Sequence, residues 1–217
     1  MGQRVFAAER RLPMRKLTLL VAVFLVFAVS SHAESMWKPV VYLGAGASLP
    51  TGQFKNDFKT GYNIGGAAGV EYNSMFELLG ELNFSRFPLD QGKFLASEPS
   101  GTSVSGGASK VLNVSGAAKY FIPLGGAEKV RPYILGRLGF AHLTESDLTL
   151  AQGPLSSTTS FAGRTKFTYG LGAGTLVDLN PNLSLWIEGR FTGINTPIHN
   201  TDFVPILAGF RYAFGKE

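Results

Sequence analysis

From residue 39 onward the chain alternates apolar residues with polar or small ones, in segments separated by stretches rich in Gly, Ser, Asn and Pro. Eight such segments are legible: 39–49, 61–72, 76–87, 110–121, 132–143, 166–179, 183–194 and 203–214. A period of two places successive side chains on opposite faces of a strand. In the third segment Phe76, Leu78, Gly80, Leu82 and Phe84 share a face opposite Glu77, Glu81, Asn83 and Ser85. In the sixth, Phe167, Tyr169, Leu171, Ala173 and Val177 oppose Thr168, Gly170, Gly172, Gly174 and Asp178. The seventh sets Leu183, Leu185, Ile187 and Phe191 against Ser184, Glu188, Arg190 and Thr192. In the eighth, Val204, Ile206, Ala208, Phe210, Tyr212 and Phe214 oppose Gly209 and Arg211. Each segment therefore has one face suited to hydrocarbon and one that hydrocarbon would reject.

The connections alternate as well. Those after the second, fourth and sixth segments are compact: Asn73-Ser74, 123–131 and Asn180-Pro181-Asn182. Those after the first, third, fifth and seventh are longer or more polar. The largest, 88–109 and 145–164, lack hydrophobic periodicity and are expected to be mobile and exposed, with Lys93 and Arg164 open to trypsin. Short turns at one end and long loops at the other describe a membrane barrel. The predicted fold is all-β: an eight-stranded antiparallel transmembrane β-barrel, an up-and-down meander with both termini in the periplasm. A soluble ligand-binding barrel would also alternate. It would cover its outside with Lys, Glu and Asp, whereas most non-apolar strand positions here are Gly, Ser, Thr or Asn. Aromatic residues near strand ends (Phe76, Phe87, Tyr120, Tyr133, Phe167, Phe203, Tyr212, Phe214) are read as interfacial girdles.

The amino terminus changes the meaning of the overall charge. Arg10, Arg11, Arg15 and Lys16 precede the uncharged apolar run Leu17–Val29, and Ser31-His32-Ala33 offers small residues to signal peptidase. This run is short for a membrane helix, so 1–33 reads as a signal peptide cleaved after Ala33 and 34–217 as the barrel domain. Met14 is an alternative start to Met1. The leader takes five of the 20 basic residues and one of the 15 acids, leaving 15 against 14, a net of +1. The excess of positive charge belongs to targeting, and nucleic acid is not an expected partner. With no cysteine the chain has no disulfide, thiolate metal site or lipid-anchored amino terminus. Abundant glycine and few charges argue against a soluble helical protein.

The run Tyr42-Leu43-Gly44-Ala45-Gly46-Ala47-Ser48-Leu49-Pro50-Thr51-Gly52-Gln53-Phe54, followed by Gly61-Tyr62 and a glycine-rich second segment, resembles the OmpA/OmpX-type small outer-membrane β-barrel domain family. The resemblance extends over the mature chain as a compositional pattern without a catalytic motif. It implies a Gram-negative outer-membrane location, with lipid and lipopolysaccharide as surroundings and a monomeric barrel. Gly209, Tyr212 and Phe214 resemble the terminal-strand signal read by the barrel-assembly machinery. Leu207 at a usually polar position, and Gly215-Lys216-Glu217 beyond the last aromatic, depart from it. No periplasmic peptidoglycan-binding domain is expected after the barrel.

If the apolar faces meet lipid, Glu71, Glu77, Glu81, Asp178 and Glu188 share the lumen with Lys119, Arg137, Arg190 and Arg211. An eight-stranded barrel is just wide enough for side chains to fill. Five acids and four bases there are expected to pair as a structural plug; the alternative is a narrow porin-like channel. A lipid A-modifying hydrolase is weighed on His142 and His199. Neither has a serine two residues on, and catalytic, metal and cofactor residues are expected to be none. Gly170-Leu171-Gly172-Ala173-Gly174 and Gly44-Ala45-Gly46 lack the following helix that a phosphate loop needs, and read as room for lumen side chains. Long polar loops on a rigid scaffold leave a structural or surface-interaction role as the leading expectation.

Overall fold

The computed structural model describes residues 37–96, 102–124, 129–152, 155–196 and 200–215. The leader over 1–33, its cleavage point, Met14 and His199 lie outside them. Eleven strands follow in chain order: β1 (Lys38–Thr51), β2 (Gly61–Asn73), β3 (Phe76–Phe87), β4 (Thr102–Gly106), β5 (Ser109–Phe121), β6 (Val130–Glu145), β7 (Leu148–Gln152), β8 (Leu155–Thr159), β9 (Arg164–Asp178), β10 (Leu183–Ile194) and β11 (Thr201–Ala213). All but β4, β7 and β8 close into one antiparallel barrel in meander order. β11 returns to β1 in an unbroken register from Val40↔Ala213 to Thr51↔Asp202, so the barrel has no free edge. Closure is what a strand in hydrocarbon requires, since every unpaired backbone group there costs several kcal/mol.

Asparagine builds two of the short turns. Asn73 Oδ1 accepts from the backbone N–H of Met75 and of Phe76, each at 2.9 Å, and folds β2 into β3. Asn180 Oδ1 does the same for Asn182 and Leu183, at 3.0 and 2.8 Å, ahead of β10. Such local bonds are why Asn favours turns.

The faces are sorted by parity. Leu78, Leu138, Leu171 and Phe210 stand on the outside, Leu171 at 72% exposure. Glu77, Glu81, Lys119, Glu188, Arg190 and Arg211 are buried inside. Three of the aromatics near strand ends belong to the interior and not to a girdle: Phe87, Tyr133 and Phe203 are each exposed by 2% or less. Nearness to a strand end sets a residue's depth, but only its odd or even place on the strand sets its face. Phe76, Tyr120, Phe167, Tyr212 and Phe214 do lie on the outer surface. Lumen glycines make room: a Cβ on Gly174 would stand 2.6 Å from the Tyr133 hydroxyl, and one on Gly172 2.5 Å from Arg190 Cβ.

The longer connections are more ordered than their composition implies. α1 (Phe54–Asp57) lies in the first and α2 (Gln91–Leu95) in the second. The two are tied by Asp90 N–H to Asp57 O at 2.7 Å and by a Lys59–Asp90 ion pair at 3.6 Å. β4, β7 and β8 form a separate three-stranded antiparallel sheet out of the two longest connections. Gly106 and Gly107, at φ 85° and 72°, turn the chain from β4 into β5. Arg164 is the first residue of β9 rather than a loop residue, and pairs with Glu145 at 3.6 Å.

Candidate functional site

The interior is filled in layers set by the strand register. Toward the short-turn end Arg211 binds Glu77 (Nε to Oε1, 2.9 Å) and also reaches Glu71. The Tyr42 hydroxyl donates to Glu77 as well. Lys119 lies over the Tyr42 ring at 4.0 Å and the Tyr133 ring at 4.4 Å, and pairs with Glu188 at 3.3 Å. Glu188 accepts from Tyr133 at 2.9 Å and pairs with Arg190 at 3.2 Å. Arg190 continues to Glu81 at 3.3 Å and Asn83 at 2.9 Å, and Arg137 closes on Glu81 at 3.2 Å.

Four carboxylates (Glu71, Glu77, Glu81, Glu188) and four cations (Lys119, Arg137, Arg190, Arg211) thus form two ion-paired groups, Arg211 with Glu71 and Glu77 and the other five together, which Tyr42 bridges from Glu77 to Lys119 and whose formal charges cancel in sum. Asp178 is not among them. It pairs at 3.0 Å with Arg131 near the short-turn mouth, where both side chains are about a quarter exposed. Its partner Arg131 falls just ahead of the segment read from 132, and the group's aromatic members Tyr42 and Tyr133 carry no charge, so charge on an alternating face does not single them out.

Above the charges the lining turns neutral. Asn63 donates to Ser85 at 2.6 Å, Asn113 to Thr168 at 3.3 Å, and Thr168 to Gly193 O at 3.1 Å. The loop end is then capped by Phe87, Val111, Ala141, Leu143, Ile194 and Phe203, with Phe54 and Phe58 packed on them. Phe87 meets Phe203 at 5.1 Å and Phe54 at 5.0 Å between ring centres. The void among Tyr42, Glu81, Lys119, Glu188 and Arg190 holds about 20 Å³, room for about one water. A larger depression of about 770 Å³, between Leu78, Gly116, Leu138 and Leu171, is on the outer apolar face.

A neutral interior, an apolar outer band and short turns at one end are the features of a small barrel living in lipid. Residues 19–214 match the family described as "Outer membrane protein beta-barrel domain". The chain belongs to this outer-membrane β-barrel family. As a member of it, the protein is a barrel of the bacterial outer membrane; barrels of this kind carry their long connections on the outer side. No curated protein matches the chain.

Among solved structures this outer-membrane barrel is similar to neisserial surface protein A, with 19% identity, 83% of this chain and 98% of that chain covered, and a TM-score of 0.50. It is also similar to Ail, the attachment invasion locus protein of Yersinia pestis, at 18% identity, with 81% and 97% covered and a TM-score of 0.43. A major outer membrane protein from Thermus thermophilus matches at 16% identity, 81% and 99% coverage and a TM-score of 0.42. The likeness to neisserial surface protein A is one of fold.

On the outer face of the barrel, His142 meets Thr165 at 3.0 Å (Nδ1 to Oγ1). Among the described residues no group of three His, Asp or Glu side chains could hold a metal. At the closing strand Gly209 lies opposite Gly44, and Tyr212 and Phe214 stand outward with ring centres 4.8 Å apart.

Proposed function

We propose that this outer-membrane barrel is a closed scaffold that acts through its outer connections rather than a channel. The supporting observation is the lumen. Eight charged groups of balanced sign, seven of them buried and Glu71 partly so, cross it beneath a layer of packed phenylalanines. Moving an ion past them would mean separating buried pairs, each separation costing several kcal/mol. The outer connections, in contrast, carry an ordered sheet whose surface is largely Ser and Thr: Ser105, Thr158 and Thr159 are exposed, and Ser103 donates to Ala151 O at 3.3 Å. A rigid polar surface held clear of the lipid is a suitable frame for recognition. In this reading the barrel is a monomer inserted with the help of its terminal strand, through Gly209, Tyr212 and Phe214.

Single-channel recording on the refolded protein in planar bilayers tests the closed lumen. The expected record has no steady conductance. Stable openings of the unaltered protein would reject this reading in favour of a narrow channel.

A further inference from the structure

The two ion-paired groups of the lumen are not neutral one by one. Arg211 faces two carboxylates, Glu71 and Glu77, which leaves one negative charge over. Lys119, Arg137 and Arg190 share Glu81 and Glu188, which leaves one positive charge over. The two excesses sit in different surroundings. Glu71 lies toward the short-turn mouth with its side chain 14% exposed, so water reaches it. The five residues of the positive group are each exposed by 4% or less, and the phenylalanine cap closes the lumen above them. A charge left without a counter-charge in such a place is costly.

The same region holds N–H donors that lack acceptors. Arg190 directs Nη1 to Glu81 and Glu188 and Nη2 to Asn83. Its Nε, the Nε of Arg137 and the indole Nε1 of Trp186 are buried without a hydrogen-bond partner among the described residues. Each of these groups can only donate, so what it lacks is a lone pair. Arg190 and Trp186 both line the void of about 20 Å³, together with Lys119 and with Gly65, which brings no side chain to fill it. A space of that size has room for one water or one monatomic ion and is closed to sulfate or phosphate. Glu81 and Glu188 line it too, but their oxygens are already engaged: Glu81 with Arg137, Arg190 and Ser115, Glu188 with Lys119, Arg190 and Tyr133.

We propose that this void is a binding site for a single halide ion, chloride. The ion accepts hydrogen bonds from Trp186 and Arg190, lies beside the Lys119 ammonium and brings the five-residue group to neutrality. Hydrogen bonds from charged donors to an anion are the strong ones, and stronger still away from water. A water molecule would accept the same bonds but leave the positive excess in place. Enclosed between the charged residues and the cap, the ion is taken up as the barrel closes and is held rather than conducted. The site does not depend on what the outer connections recognise.

The test is reversible unfolding of the protein in nonionic detergent, with chloride replaced stepwise by gluconate at constant ionic strength. A ligand that binds only the folded state raises the ratio of folded to unfolded protein in proportion to its concentration, once that exceeds the dissociation constant. A tenfold rise in chloride should then raise the ratio about tenfold. Bromide should substitute, and its anomalous diffraction from crystals grown in bromide should mark the void between Trp186, Lys119 and Arg190. Arg137→Gln removes the excess charge without altering the wall of the void, and Trp186→Phe removes one donor. Each should flatten the chloride dependence, while Arg131→Gln at the short-turn mouth should leave it intact. Stability of the unaltered protein that is indifferent to chloride, a measurement that needs no variant to fold, would overturn the proposal. So would a void without bromide, which would then hold water, or a chloride dependence equally steep in Arg137→Gln and Trp186→Phe.

Discussion

Arg211 is 2% exposed and stands between Glu71 and Glu77, so its truncation leaves two carboxylates facing each other without a cation. Arg211→Ala should cost about 3–5 kcal/mol of barrel stability, the usual penalty for breaking a buried pair. Adding Glu77→Gln should recover part of that loss, because the stranded charge is then removed with its partner. Reversible unfolding in detergent or lipid measures both. A single variant as stable as the unaltered protein would mean that Arg211 is not paired in this way. Charged residues were the legible part of the lumen, because a charge on the polar face of an alternating strand has nowhere else to point. Tyr42, Tyr133 and Phe87 were not legible. An aromatic side chain suits either the membrane interface or a packed interior, and its chemistry does not choose.

The eight barrel strands were legible to within a few residues at each end, since each is long enough for alternation to repeat several times. β4 and β8 were not. Thr102–Gly106 and Leu155–Thr159 are five residues each, rich in Ser and Thr, and resemble any polar loop. Their order comes from β7, which pairs with both, and with β4 from more than 40 positions away. Such a pairing has no local signature. The sheet carries its own expectation: amides of β7, the central strand, should exchange with solvent more slowly than the outward edges of β4 and β8. Hydrogen exchange on the folded protein checks this. Uniformly fast exchange over 102–106, 148–152 and 155–159 would return these connections to irregular loops.

For the whole molecule the decisive question is which face meets lipid. Leu171 is the most exposed of the large apolar side chains on the described surface and lies mid-strand in β9. Leu171→Arg should cost about 2–4 kcal/mol in a bilayer, because a charge near the midplane must leave water. Thr168→Ser keeps the hydroxyl that donates to Gly193 O and should be mild. Unfolding of both variants in lipid measures the difference, and an arginine tolerated as well as the serine would mean that Leu171 does not face hydrocarbon. Period-two alternation belongs to the chain before any contact forms. Strand number, the apolar outside, the charged inside and the alternation of short and long connections therefore follow from sequence alone. Which charges meet is a different matter. Glu77 and Arg211, 134 positions apart, or Glu81 and Arg190, 109 apart, become neighbours only when closure sets the stagger of all eight strands at once. The same stagger leaves Asp178 outside the group. No single strand carries that information, because register is a property of the closed sheet.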